Sequence, residues 1–206
     1  MDQTLRAPRV LRDERETYEH AFAVDAYSAY SPGEKYVPAF LDMAALPTDG
    51  VFRGSLLDAG CGTGKGAAAL VEAGFAPITL CDFVDERIPE VRAAVTLRFT
   101  QVDTLWRPLY LGWFDYVYCT DVLEHIPPEF TMLVIARLLE VARRGLFLSI
   151  ALVPDGFGVW VGKPLHQTVR GFTWWRDNIE TIGHIVECRD LLHTGLYYVR
   201  PIEGTR

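Results

Sequence analysis

Leu56-Leu57-Asp58-Ala59-Gly60-Cys61-Gly62-Thr63-Gly64 decides the fold of this chain. A short apolar run ends in an acid, and three glycines follow at alternate positions. The pattern predicts a buried strand that breaks into a tight turn whose backbone comes close to a ligand. Glycine suits such a turn because it lacks Cβ and accepts φ > 0. Behind the turn, Lys65 to Ala73 predicts a helix, with Gly74 where a C-terminal cap belongs. Strand, glycine turn and helix together make a nucleotide-type cofactor site at a helix N-terminus.

Spacing separates the families that use such a turn. A Walker phosphate loop needs four residues between its glycines and then Lys-Ser/Thr; here three residues separate Gly60 from Gly64, and Gly66 follows Lys65. The dinucleotide fingerprint G-x-G-x-x-G is one residue longer than Gly60-x-Gly62-x-Gly64, although Gly66 blurs the count. Acid-x-Gly-x-Gly-x-Gly resembles the first motif of class I S-adenosylmethionine-dependent methyltransferases, and Asp58 to Gly64 matches it at every defined position.

Outward from the motif, strands and helices alternate. Strands are expected at 55–59, 78–81, 97–102, 114–119 and 146–152, with helices at 65–73, 85–94, 129–142 and 174–182, and closing strands at 185–188 and 196–199. This order predicts right-handed βαβ units and a mainly parallel sheet. The last two strands are too close for a crossover and read as antiparallel. The resemblance covers residues 53–200 and implies a Rossmann-like three-layer α/β sandwich, seven-stranded and mostly parallel with an antiparallel last strand. Residues 11–30 and 35–46 read as helices, separated by Ser31-Pro32-Gly33, and 47–50 as a turn. The chain is therefore expected to be one domain overall, an N-terminal helical cap or lid over 1–50 on a cofactor-binding domain over 51–206. Tyr27, Tyr30, Lys35 and Tyr36 are the candidates for closing over the cofactor, or for plain helix packing.

Composition narrows the class. At 206 residues and 50% apolar, the chain can bury a substantial core. No apolar run reaches the ~20 residues of a membrane span, and the charged N-terminus lacks a secretory h-region. Cys61, Cys81, Cys119 and Cys188 form no C-x-x-C pair, which favours free thiols in a reduced cytoplasmic setting over zinc. A net charge of -7 speaks against broad nucleic-acid binding. Arg137, Arg143 and Arg144 read as a helix face and helix end.

Open α/β sheets bind ligands outside the carboxyl ends of their strands, where Asp58, Asp82, Asp103 and Asp121 fall in succession. Such acids also cap helices, and Asp82, 22 residues after Gly60, suits an NAD site as well. The resemblance assigns the cofactor S-adenosylmethionine to Asp58, Ala59, Gly60, Cys61, Gly62, Gly64, Asp82, Phe83, Asp103, Thr104 and Asp121. In it, Asp58 faces the methionine amino group through water, Asp82 accepts the ribose hydroxyls, and Asp103 accepts from the adenine amino group. Thr104, Leu105 and Trp106 line the adenine pocket or, for Trp106, the core.

Asp121-Val122-Leu123-Glu124-His125-Ile126 resembles the D-x-L-E-H-[IV] segment of many small-molecule and glycan-type methyltransferases. Asn/Asp-Pro-Pro-Tyr/Phe, the mark of exocyclic amino methylation of nucleic acids, is absent. The implied acceptor is a small molecule or a sugar-like hydroxyl or amine. His125 is the candidate general base or an ordering residue; Asp121 and Glu124 would orient it or bind an acceptor hydroxyl. Pro154–Phe172 is long for a βα connection and carries His166 as a second base candidate, inside L-H-x-T. Trp174 and Trp175 follow it. His20, His184 and His193 are expected outside the site. An oxidoreductase would need a Tyr-x-x-x-Lys pair, and no tyrosine has a lysine four residues on. A non-catalytic cofactor-binding module is the remaining alternative.

Overall fold

The computed structural model describes residues 9–30, 32–47, 53–94 and 96–202. Ser31, most of the 47–50 turn and the expected boundary at 50/51 lie outside these residues. The elements are α1 (Arg9–Phe22), α2 (Asp25–Ala29), α3 (Val37–Met43), β1 (Leu56–Ala59), α4 (Lys65–Glu72), β2 (Ile78–Asp82), α5 (Pro89–Ala93), β3 (Leu97–Gln101), β4 (Phe114–Thr120), α6 (Thr131–Val141), β5 (Ala142–Ala151), α7 (Phe172–Ile179), β6 (His184–Asp190) and β7 (Thr194–Arg200). One seven-stranded sheet has the order β3-β2-β1-β4-β5-β7-β6. Strands β1 to β5 pair in parallel, and β7 runs antiparallel to both β5 and β6.

Both sheet faces are buried, so the central strands alternate between two cores rather than between core and water. Tyr116, Tyr118, Phe147, Leu196 and Tyr198 pack with α3 and α4 on one face. Val117, Cys119, Leu146, Leu148, Tyr197 and Val199 pack with α6 and α7 on the other. Phe40 of α3 is fully buried and meets the rings of Phe75, Tyr116, Tyr118, Phe147 and Tyr198, with centroids 5.4–6.3 Å away. The N-terminal segment thus divides: α3 belongs to the core, and α1 and α2 lie elsewhere, over the ends of the strands.

Several boundaries differ from the sequence reading, each for a local reason. The helix expected over 11–30 is two, because Val24 is extended (φ -91, ψ 117) and Asp25 opens a new helix. Pro38 and Pro89 fit only in a first turn, so α3 begins at Val37, after a 3-10 turn over Pro32–Tyr36, and α5 begins at Pro89 rather than Asp85. Asp85 is instead bound by Arg87 (2.8 and 3.0 Å) and Arg92 (2.9 Å). β5 starts at Ala142, so Arg143 and Arg144 lie on the strand, and Arg144 reaches Asp115 at 3.4 Å. On α6, Leu133 is exposed while Ile135 and Leu139 are buried: so many apolar residues sit together that the sequence offers more than one inward stripe.

The strand order reverses between β1 and β4, since the chain builds outward to β3 on one side and to β5 on the other. That switch point leaves a crevice at the carboxyl ends of β1 and β4, and the motifs meet there.

Candidate active site

The glycine turn follows β1. Gly60 has φ 77, and a Cβ there would stand 2.3 Å from Val122 Cγ2. Gly64 has φ 79, with Val91 Cγ1 2.7 Å from the same imaginary atom. Both positions therefore exclude a side chain by conformation and by space. The N–H groups of Gly60 and Cys61 donate to the Cys81 carbonyl (2.8 and 3.2 Å), and Gly62 N–H donates to Asp82 Oδ2 (2.8 Å). Asp82 Oδ1 accepts from the N–H groups of Phe83 (2.7 Å) and Val84 (3.3 Å). One carboxylate thus ties the turn to the end of β2.

Burial pushes Asp82 up to about 6, against the pull of those three donors. Asp58 is 4% exposed, and among the described residues its carboxylate has no hydrogen-bond partner and no cation. Burial first, and the charge of Asp82 second, push it up to about 7. A buried carboxyl in this environment favours a hydrogen-bond donor or a cation beside it.

A cavity of about 390 Å³ opens above these residues, within the size range of small-molecule sites. It is lined by Asp58, Gly60, Cys61, Gly62, Asp82, Phe83, Asp103, Thr104, Asp121, His125 and His166. Ala59, Gly64 and Glu124 are not in the lining: Ala59 ends β1 with no exposure, Gly64 caps α4 against Val91, and Glu124 is buried behind the wall. Asp103 sits at the rim with its side chain 65% exposed, 3.8 Å from Arg15 and 3.9 Å from Arg107. Leu105 and Trp106 also line the cavity, and Trp106 stacks on Phe130 at 4.8 Å.

After β4, Asp121 takes φ 58, a left-handed conformation uncommon outside glycine, asparagine and aspartate. Its N–H donates to the Ser149 carbonyl (3.0 Å). Glu124 is fully buried; Oε1 accepts the Ala151 N–H (2.6 Å), and Oε2 has no partner at bonding distance. Burial, then the charge of Asp121, raise Glu124 well above the usual carboxyl range. Its carbonyl accepts from Gln167 (2.7 Å) and Thr168 (2.9 Å) N–H groups. Gln167 Nε2 donates to the His125 carbonyl (2.9 Å), and Thr168 Oγ1 to that of Ile126 (2.7 Å). This stitching binds the segment after β4 to the loop after β5, and it brings His125 and His166 together at a ring separation of 4.8 Å.

Burial lowers His125 to about 4, which keeps it neutral at physiological pH. Its Nδ1 lies 2.7 Å from the Tyr18 hydroxyl and 3.2 Å from the Leu165 carbonyl. His166 Nδ1 lies 2.7 Å from the Val153 carbonyl and must donate to it, so the neutral ring carries its lone pair on Nε2.

Several lining residues escaped the sequence reading. Tyr18 and Phe22 are one turn of α1 apart, and Tyr18 packs with Val84 and Leu165. Lys163 anchors α1 through Glu14 at 2.9 Å. Asp155 accepts from the N–H groups of Gly158 (2.5 Å), Leu165 (2.8 Å) and His166 (3.1 Å), which shapes the loop that carries His166. Phe157 meets Tyr27 and Tyr30, each at 5.5 Å. Tyr27, Tyr30 and Tyr36 line the cavity, and Lys35 does not. His193, expected outside the site, lines it together with Thr194, because β7 starts beside Ala151 at the ligand end of β5. Trp174 and Trp175 lie away from the cavity, with Trp175 wholly buried in the core.

The methyltransferase domain family matches residues 56–145. A magnesium-protoporphyrin O-methyltransferase of Synechocystis is 30% identical over 181 residues, 80% of this chain and 77% of the relative. A ubiquinone biosynthesis O-methyltransferase of Idiomarina loihiensis is 27% identical over 71% of this chain and 67% of the relative. Among solved structures, Burkholderia thailandensis 1,6-didemethyltoxoflavin-N1-methyltransferase, with 1,6-didemethyltoxoflavin and S-adenosylhomocysteine bound, superposes with a TM-score of 0.69. It covers 98% of this chain and 94% of its own at 17% identity, a likeness of fold.

Proposed function

The chain belongs to the class I S-adenosylmethionine-dependent methyltransferases, and we propose that it moves a methyl group to an oxygen or nitrogen of a small-molecule or sugar-like acceptor. The observation that carries the site assignment is Asp58: a buried carboxylate with no cation or donor among the described residues, facing a cavity beside Asp82. That environment suits a ligand with an ammonium group and a diol. Asp58 would meet the ammonium. After serving three backbone donors, Asp82 keeps one acceptor site, on Oδ2, for a ribose hydroxyl. Phe83, Leu105 and Thr104, with Asp103 at the rim, would frame an adenine.

When bound, S-adenosylmethionine supplies an activated methyl and a neutral thioether leaving group. The protein's share is to orient, to exclude water and to take a proton. Tyr18, Phe22, Tyr27 and Phe157 close the cavity between α1, α2 and the loop after β5. Holding donor and acceptor in line at near-contact distance can supply roughly 7–11 kcal/mol. A hydroxyl or ammonium acceptor must also lose a proton. The Val153 carbonyl fixes His166 Nδ1–H, leaving Nε2 as the group that receives it. His125, held neutral and bonded to Tyr18, positions the acceptor and His166. Glu124, buried behind the wall and bonded to the Ala151 N–H, holds the loops together, which makes it a positioning residue; Asp121 borders the acceptor space.

The test is transfer from methyl-tritiated S-adenosylmethionine to a panel of hydroxyl and amine compounds. Product with the wild type, lost in His166→Asn while the cofactor still binds, is expected. Cofactor binding with no transfer to any acceptor would favour a non-catalytic module.

A further inference from the structure

We propose that the acceptor of this site is uncharged or cationic, and that carboxylated and phosphorylated acceptors are rejected; the inference rests on the methyltransferase reading above. Six carboxylates line the cavity, those of Glu14, Asp58, Asp82, Asp103, Asp121 and Asp155, and among the described residues no lysine or arginine does. Three of the six are answered locally. Glu14 pairs with Lys163, Asp103 stands near Arg15 and Arg107, and Asp155 is filled by three backbone N–H groups. Asp58 and Asp82 belong to the glycine turn, where the cofactor takes their bonding capacity.

Asp121 remains. It follows β4, held at φ 58, and among the described residues it forms no ion pair. Its charge acts on two tyrosines of the same cavity: after burial, Asp121 is the leading cause that holds the Tyr27 and Tyr30 hydroxyls above their usual range, Tyr30 at about 12. The same cavity is lined by Tyr27, Tyr30 and Phe157, with Phe157 5.5 Å from both tyrosine rings. Ring faces attract cations and offer anions nothing. An anionic group here would lose its water, find no counter-ion and meet Asp121; an amine would find a carboxylate and ring faces. Rejection of this kind sets specificity by repulsion as well as by fit. The other basic groups of the lining are His125, His166 and His193, and His125 stays neutral at its value of about 4.

The test uses ring fragments matched in shape and differing in charge: dopamine, catechol and 3,4-dihydroxybenzoate, extended to a library of such triplets. They are titrated at pH 8, above the ordinary histidine range, into protein saturated with S-adenosylhomocysteine, and cavity binding is read from the ring NMR signals of His125 and His166. Anionic members should bind at least tenfold more weakly than their neutral or cationic partners. The gap should shrink at least threefold in Asp121→Asn, a substitution that tolerates the left-handed backbone. Anions binding as tightly as their partners, an unchanged gap in Asp121→Asn, or no fragment of any charge reaching the two histidines would each overturn the inference. Failure to bind S-adenosylhomocysteine at all, read in the preceding saturation step, would instead bring down the methyltransferase reading, and this inference with it.

Discussion

Replacing Asp58 by asparagine should make the free protein more stable and its cofactor binding weaker. In the folded chain this carboxyl titrates at about 7, against a usual 3.8, mainly because it is buried, with the charge of Asp82 adding to the effect. The folded value is raised, so ionisation favours the unfolded state. The penalty begins as pH climbs past 3.8, grows until about 7, and is constant above that. The difference corresponds to about 4 kcal/mol; water entering the cavity reduces it, so about 2–4 kcal/mol is expected. Asparagine has nearly the same shape and does not titrate. For a domain of this size, the gain is roughly 4–16 °C in Tm at pH 8, and at most about 2 °C at pH 4. Thermal unfolding of both proteins from pH 4 to 8 reads the stability, and calorimetric titration with S-adenosylmethionine reads the loss. Residues that bind cations often cost stability in the free protein. A variant no more stable than wild type at pH 8, or one that binds the cofactor equally well, would refute the reasoning.

Other outcomes follow from single contacts. Gly60→Ala forces a side chain into φ 77 and against Val122, and should cost about 2–5 kcal/mol in urea unfolding; a cost under about 1 kcal/mol would mean that the turn is not so constrained. Phe40→Ala should cost about 3–5 kcal/mol, since it empties the centre of an aromatic cluster and frees α3, as the shift in urea midpoint would record. Glu124→Gln should keep the fold within about 1 kcal/mol, because burial disfavours the charged carboxylate there and an amide keeps its shape and its acceptor for Ala151, whereas Glu124→Ala orphans the Ala151 N–H and should cost about 1–3 kcal/mol; equal losses in the two would show that a charged Glu124 matters. His166→Asn should lower kcat about 10²–10⁴-fold with cofactor Kd unchanged, while an equal loss of cofactor binding would place His166 elsewhere in the mechanism.

The framework of this molecule was readable because its signals are local. An apolar run ending in Asp58 and three spaced glycines need no distant partner to be recognised, and the acids after β2 and β4 mark the ligand end of the sheet. What escaped depends on contacts far apart in sequence. Tyr18 reaches His125 across 107 positions, and on α1 it looks like any apolar-face aromatic. Asp155 resembles an ordinary turn residue until its three backbone donors are seen. His193 enters the cavity only because β7 lies next to β5, a pairing that strand spacing does not reveal. Asp103 carries the opposite lesson: its place after β3 was legible, but its exposure at the rim depends on how the following segment turns. The boundaries of α3 and α5 could have been read from Pro38 and Pro89, each of which belongs in a first turn.

The most direct test of the account is calorimetric titration of the wild-type protein and Asp82→Ala with S-adenosylmethionine, S-adenosylhomocysteine and NAD. Tight binding of both sulfur ligands, abolished in the variant, and no binding of NAD is the expected result. A wild-type protein that binds neither sulfur ligand would contradict it.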